Sequence, residues 1–106
     1  MLAKIGYVQD TLFVIGGKWK LPIIIAIYYG NKRFKDLKAA IPNITSRVLS
    51  KELKHLEENR LIERKVDDFS PKTIEYCLTK YCDTIGNVLS GMAVWGKQHG
   101  KKIRNK

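Results

Sequence analysis

Between Thr45 and Leu78 the spacing of apolar residues changes once, and that change restricts the fold more than anything else in the chain. Leu49, Leu53 and Leu56 recur at steps of four and three, the period of one helical face. From Leu61 onward the step becomes two. Leu61-Ile62-Glu63-Arg64-Lys65-Val66 and Thr73-Ile74-Glu75-Tyr76-Cys77-Leu78 both alternate, and β-branched and aromatic residues are frequent in them. Asp67-Asp68-Phe69-Ser70-Pro71-Lys72 supplies turn chemistry between the two. A helix followed by a β-hairpin is therefore expected.

The helix carries its own start signal. Pro42 and Asn43 favour a turn, and the Thr45 hydroxyl can accept a hydrogen bond from a free N–H of the first turn. Stepping about 100° per residue from Leu49 places Arg47, Lys51 and Lys54 within about 40° of the pole opposite the leucines. Ser46 and Ser50 lie towards one edge of that face. Most charged helix faces are only solvated, so the face alone names no partner. Composition adds weight: 20 Lys and Arg against 10 Asp and Glu give a net charge of +10 on 106 residues. A single domain this basic suits a polyanion, nucleic acid or less often an anionic membrane surface. No apolar run reaches the roughly 18 residues that span a bilayer. The N-terminus has no signal-peptide pattern, so no membrane association and a cytoplasmic location are expected.

Upstream, Ile5, Val8, Leu12 and Ile15 step by three and four as a short amphipathic helix would, until Gly16-Gly17 interrupts. Within Lys18 to Tyr29, the run Pro22 to Tyr29 is apolar all round and suits a buried strand or a buried helix. Length and the polar start favour a helix, with Pro22 tolerated only near its first turn and Gly30-Asn31 closing it. Lys32-Arg33-Phe34 allows no more than a stub of strand. Phe34, Leu37, Ala40 and Ile41 form a short helical face before Pro42. Two helices joined by a tight turn, then a hairpin, is the order of a winged helix. Thr79 is a further N-cap candidate, and Tyr81, Ile85, Val88, Leu89, Met92 and Trp95 repeat at helical spacing over about five turns. So long an apolar stripe needs cover, from a second copy of the chain or by folding back on its own domain.

Chemistry is sparse. Cys77 and Cys82 lack further ligands at zinc spacing and read as small hydrophobes. His55 and His99 stand alone, His55 as a solvent-facing residue of the long helix. No phosphate loop, paired carboxylates or activated nucleophile is present, which leaves no basis for an enzyme, a metal or a cofactor.

Ile15-Gly16-Gly17-Lys18-Trp19-Lys20, Arg33-Phe34, Ile41-Pro42-Asn43-Ile44, Leu49-Ser50, Leu53, Leu56-Glu57, Leu61-Ile62-Glu63-Arg64 and Ile74-Glu75-Tyr76-Cys77-Leu78-Thr79 together resemble the HxlR family. These are bacterial and archaeal winged helix-turn-helix transcriptional regulators, and the match runs from about Val8 to Trp95. The resemblance implies a homodimer held by the terminal helices, with two recognition helices and two wings on operator DNA. Three departures stand out. Family members often carry a Cys-Pro pair that senses oxidants or electrophiles, where this chain has Gly6 and Tyr7. The glycine before the first strand is Arg60, with Asn59 expected to take the left-handed turn instead. The wing reads Pro71-Lys72-Thr73 rather than Pro-Pro followed by a basic residue.

The expected architecture is α+β and mostly helical: a winged helix-turn-helix with N- and C-terminal dimerisation helices. One domain spans residues 1–106. Its parts are helices over 7–29, the helix-turn-helix over 34–59, the wing over 61–78, a dimerisation helix over 80–98 and a basic tail over 99–106. Arg47 and Lys51 are assigned to the major groove, since both side chains donate to guanine O6 and N7. Thr45, Ser46 and Ser50 are assigned to phosphates or base edges, and Lys54, Lys72 and Arg64 or Lys65 to phosphates. Dimerisation falls to Ile5, Val8 and Leu12 and to Tyr81, Ile85, Val88, Leu89, Met92 and Trp95. Trp19, Phe34 and Tyr76 fall within apolar patterns and are read as packing. Two rival functions are an RNA-binding winged helix, disfavoured because no aromatic lies on the basic face, and a protein-interaction module without operator specificity. A small-molecule effector between terminal helices and core is compatible with the sequence, which identifies no residue for it.

Overall fold

A computed structural model describes residues 2–105, the side chains of Asp67, Pro71 and Lys72 excepted. Five α-helices and one hairpin follow in order: α1 Leu2–Ile15, α2 Lys20–Tyr28, α3 Phe34–Ala40, α4 Ser46–Glu58, β1 Ile62–Asp67, β2 Ser70–Leu78 and α5 Gly86–Arg104. A short 3-10 helix, Tyr81–Ile85, joins β2 to α5.

The core is made where α2, α3, α4 and the hairpin base meet. Ile23, Leu37, Leu49, Leu53, Leu56, Leu61 and Ile62 are all fully buried there. The ambiguous apolar run is helical. Pro22 is the third residue of α2, inside the first turn, where a missing N–H costs nothing. Gly30 ends α2 with φ 105°; its N–H donates to the Ile27 carbonyl and that of Asn31 to the Ala26 carbonyl, closing a Schellman turn. Lys32 forms no strand, but its carbonyl accepts from the Tyr76 N–H at 2.7 Å, which ties the loop to β2. Trp19, Phe34 and Tyr76 pack against the core as expected.

Four expectations need correction. The left-handed residue after α4 is Arg60 itself, with φ 64°, while Asn59 keeps φ −88°. The Schellman turn fixes this: Arg60 N–H donates to Glu57 and Leu61 N–H to Leu56, and that geometry needs positive φ one residue past the cap. His55 is half-buried rather than solvent-facing, because Phe13 of α1 lies edge-on to its ring at 5.4 Å. The wing loop is shorter than six residues. β2 already begins at Ser70, pairing with Asp67, and the register shifts before Val66 meets Ile74. Pro71 has no N–H to give a ladder, and the bulge falls there, spanned by a 3.0 Å bond between the Ser70 and Thr73 hydroxyls.

The C-terminal helix is the fourth. It starts at Gly86, not near Lys80, and runs to Arg104, so most of the expected tail is helical; Lys106 lies outside the described residues. Thr79 caps the 3-10 helix instead: its hydroxyl donates to the Arg60 carbonyl at 2.7 Å and accepts from the Cys82 N–H at 3.1 Å. Lys101, Lys102 and Arg104 occupy the last turn of α5, where cations suit the negative end of the helix dipole.

The chain measures 55 × 34 × 23 Å with a radius of gyration of 15.9 Å. A compact chain of this length would have about 13 Å. The excess comes from the terminal helices: α5 buries no residue and α1 only Ile15. Arg60 also carries a local strain, since left-handed geometry costs a side chain about 1 kcal/mol that glycine avoids. Arg60→Gly should therefore raise the unfolding free energy by about 0.5–1 kcal/mol, read from the urea midpoint.

Candidate nucleic-acid interface

α4 is the centre of the candidate surface. The Thr45 hydroxyl accepts from the Val48 N–H at 3.2 Å, so the expected N-cap is present. The three leucines fasten one face into the core, and the opposite face presents Arg47, Lys51 and Lys54, all exposed. Ser46 and Ser50 are exposed beside them. Asn43, with φ 68°, makes the tight turn from α3; asparagine tolerates that conformation better than most residues. The helix-turn-helix is thus assembled with its cations outward and on one side.

The hairpin divides the two strand cations. Arg64 pairs with Tyr76 and Lys65 with Glu75, so alternation sends the two side chains to opposite faces. Arg64 shares its face with buried Ile62 and lies near Tyr76 and Glu57; Lys65 lies outward opposite an acid. Only one of the two can therefore follow α4 onto a common surface. The Lys72 side chain lies outside those described.

Among the residues assigned to dimerisation, Val8 and Leu12 of α1 converge with Val88 and Met92 of α5 on an apolar cleft of about 550 Å³. Ile5 and Trp95 are exposed further along the same helices, Trp95 stacked on His99 at 4.7 Å. Ile85 and Leu89 are half-buried against the chain's own core. Tyr81 sits apart from the stripe, in a cleft at the base of the wing with Glu57, Arg60 and Lys80. Helical periodicity misplaced it because residues 81–85 form a 3-10 turn.

Sequence reasoning missed two features of α4. Glu58 follows Lys51 by seven residues and so shares the basic face, which the spacing alone could have revealed. Glu52 pairs with Lys20 of α2 at 2.8 Å, both side chains 14% exposed; no spacing signal marks a contact between helices so far apart in sequence.

A scan of family models matches residues 14–104 to the HxlR-like helix-turn-helix. The chain belongs to that family. YtcD of Bacillus subtilis (strain 168), an HTH-type transcriptional regulator, is 38% identical over 96 residues, covering 91% of this chain and 76% of YtcD. The reduced form of the redox regulator HypR superposes with a TM-score of 0.83 at 33% identity, over 93% of this chain and 98% of HypR. The quinone-bound YodB of B. subtilis superposes with a TM-score of 0.74 at 30% identity, over 88% and 98% of the two chains. The family and these relatives are transcriptional regulators of winged helix-turn-helix type, not enzymes. No single helix among the described residues is long and apolar enough to cross a membrane.

Both cysteines are free thiols, Cys82 buried and Cys77 half-buried. Burial pushes the Cys82 thiol up, with Asp83 adding to it. Burial also raises the Tyr76 hydroxyl, against the opposing pull of Arg64 and with a smaller push from Glu57. Each group ionises less readily folded than unfolded. The stability it contributes is therefore complete below its ordinary value and lost as pH climbs through the folded one. Urea midpoints should fall at alkaline pH, and Cys82→Ala should move the start of that fall towards the tyrosine range.

Proposed function

We propose that the chain is a cytoplasmic homodimer that regulates transcription by reading a (pseudo)palindromic operator. The observation that carries this is the exposed row of Arg47, Lys51 and Lys54 on a helix whose opposite face is locked into the core. Arg47 and Lys51 enter the major groove; Thr45, Ser46 and Ser50 meet phosphates or base edges at the helix start; Lys54 holds a phosphate. From the wing, Lys72 and one of Arg64 and Lys65 add phosphate contacts. Glu58 on the same face repels the backbone beyond Lys54, which favours the N-terminal half of α4 as the reading end.

The dimer forms through α1 and α5. Leu2, Ile5, Val8, Leu12, Val88, Met92 and Trp95 are each 44% or more exposed in the single chain, and Val8, Leu12, Val88 and Met92 line one apolar cleft, the kind of surface that marks an association site. A twofold pair would set the two recognition helices about 34–36 Å apart, one turn of DNA. The quinone-bound YodB and the redox regulator HypR support a small-molecule input, and Gly6-Tyr7, where family members often carry Cys-Pro, directs it to non-covalent binding.

Selection from a random duplex pool, read by fluorescence anisotropy over a salt series, tests the reading. A palindrome should be enriched. Arg47→Ala should cost about 1–3 kcal/mol and relax one base position, while Lys54→Ala weakens all sequences alike and lowers the salt slope by about one. Binding that vanishes by about 200 mM salt with no enriched sequence would leave only the electrostatic term. Single-stranded RNA should compete poorly, since α4's basic face offers no aromatic to stack on bases. Separately, Val88→Glu should yield monomers in analytical ultracentrifugation and lower operator affinity about a hundredfold or more, because the second half-site no longer binds as a tethered partner.

A further inference from the structure

The recognition helix meets the N-terminal arm at a ring pair. Phe13, near the end of α1, lies edge-on to His55 of α4, centroids 5.4 Å apart and planes at 80°. Beside it a cleft of about 530 Å³ separates the two helices, within the size range of small-ligand sites. Its walls differ in chemistry. α1 supplies Leu12 and Phe13, and Gly16 adds bare backbone. Phe13 is 71% exposed, so most of its ring surface stays open. α4 supplies Lys51 and Lys54, and neither has a counter-ion among the described residues. Lys20 lines the cleft too, but Glu52 neutralises it at 2.8 Å. Against the two unpaired lysines stands one further acid, Glu58.

We propose that this cleft binds a small planar aromatic carboxylate and that its occupancy excludes DNA. The ring lies on Phe13, and the carboxylate takes Lys51 and Lys54. An inorganic anion would satisfy the lysines but leave the apolar wall uncovered; a neutral arene would do the reverse. Exclusion follows from shared groups: the two ammoniums assigned to DNA cannot neutralise a ligand carboxylate and DNA at once. The apparent Kd for DNA then rises in proportion to one plus ligand concentration over its own dissociation constant. This rests on α4 being the DNA-facing helix.

The test has two arms at constant ionic strength. In the first, 2-naphthoate, 2-naphthamide and acetate are titrated into the full chain without DNA while the His55 ring protons are followed by NMR, assigned with His99→Gln. Only naphthoate should give a saturable shift. Phe13→Ala, at an exposed position, should weaken it about three- to tenfold, and Lys54→Gln should weaken it as well. In the second arm, duplex affinity is measured with increasing naphthoate. It should fall for selected and random duplexes alike, and less steeply in Phe13→Ala. Equal binding of naphthamide, unmoved His55 protons, or bound naphthoate with unchanged duplex affinity would each overturn the proposal. Neither arm needs an operator, so failure of sequence selection reads out separately from failure here.

Discussion

The basic surface of this chain depends on how α4 is seated. Leu49, Leu53 and Leu56 are at most 1% exposed, in one buried cluster with Ile23, Ile27, Leu37, Leu61 and Ile62. Each such leucine contributes about 1.5–3 kcal/mol of burial, and all three lie on one stripe. Rotating α4 by one residue would bury a cation or expose a leucine, so its rotation is fixed within a few tens of degrees. The direction of Arg47, Lys51 and Lys54 is therefore set by apolar packing on the far side of the helix. The Lys20–Glu52 pair trims the same seat from the flank.

The terminal helices follow a different rule. They add little to the winged core: α5 buries no residue and α1 only Ile15. Their apolar stripes are therefore available for association, and their attachment to the core is light. α1 reaches the recognition helix through Phe13 and His55, while α5 is held through Ile85 and Leu89 and the 3-10 turn before it. Light attachment has a physical consequence. Few buried contacts resist a change of angle between arm and core, so whatever fixes that angle also fixes the separation of two recognition helices in a dimer.

Much of this was legible in the sequence because it rests on local signals. The period switch after Asn59, the Thr45 cap, the Gly30 stop and the three-leucine stripe are each readable within a few residues. The failures share a cause: each is decided by atoms distant in sequence or by backbone geometry that spacing does not encode. His55 follows a lysine on a polar-looking helix, and only α1 packing across 42 positions turns it inward. Asn59 is the better left-handed residue by preference, yet the hydrogen bonds after α4 place Arg60 there. Tyr81 fits the α5 stripe at 100° per residue but lies in a turn that advances more steeply. Of the candidate site, the basic face was legible, and so was the opposition of Arg64 to Lys65 by strand alternation; that Arg64 lies opposite Tyr76 and Lys65 opposite Glu75 required the hairpin register.

A sensing cysteine must be exposed and ionise readily, whereas Cys82 is buried with its thiol pushed away from ionisation, and Gly6 carries no side chain at all. The input proposed for this chain is equilibrium binding rather than a covalent bond. Equilibrium binding shifts DNA occupancy only as far as the ligand distinguishes the free from the DNA-bound protein. A site remote from DNA would need a two-state arm to make that distinction. A site that borrows the recognition helix's own lysines makes it directly, because the bound and free states differ in whether those ammoniums are available. The cleft beside Phe13 and His55 meets that requirement with groups already on the helix proposed to face DNA.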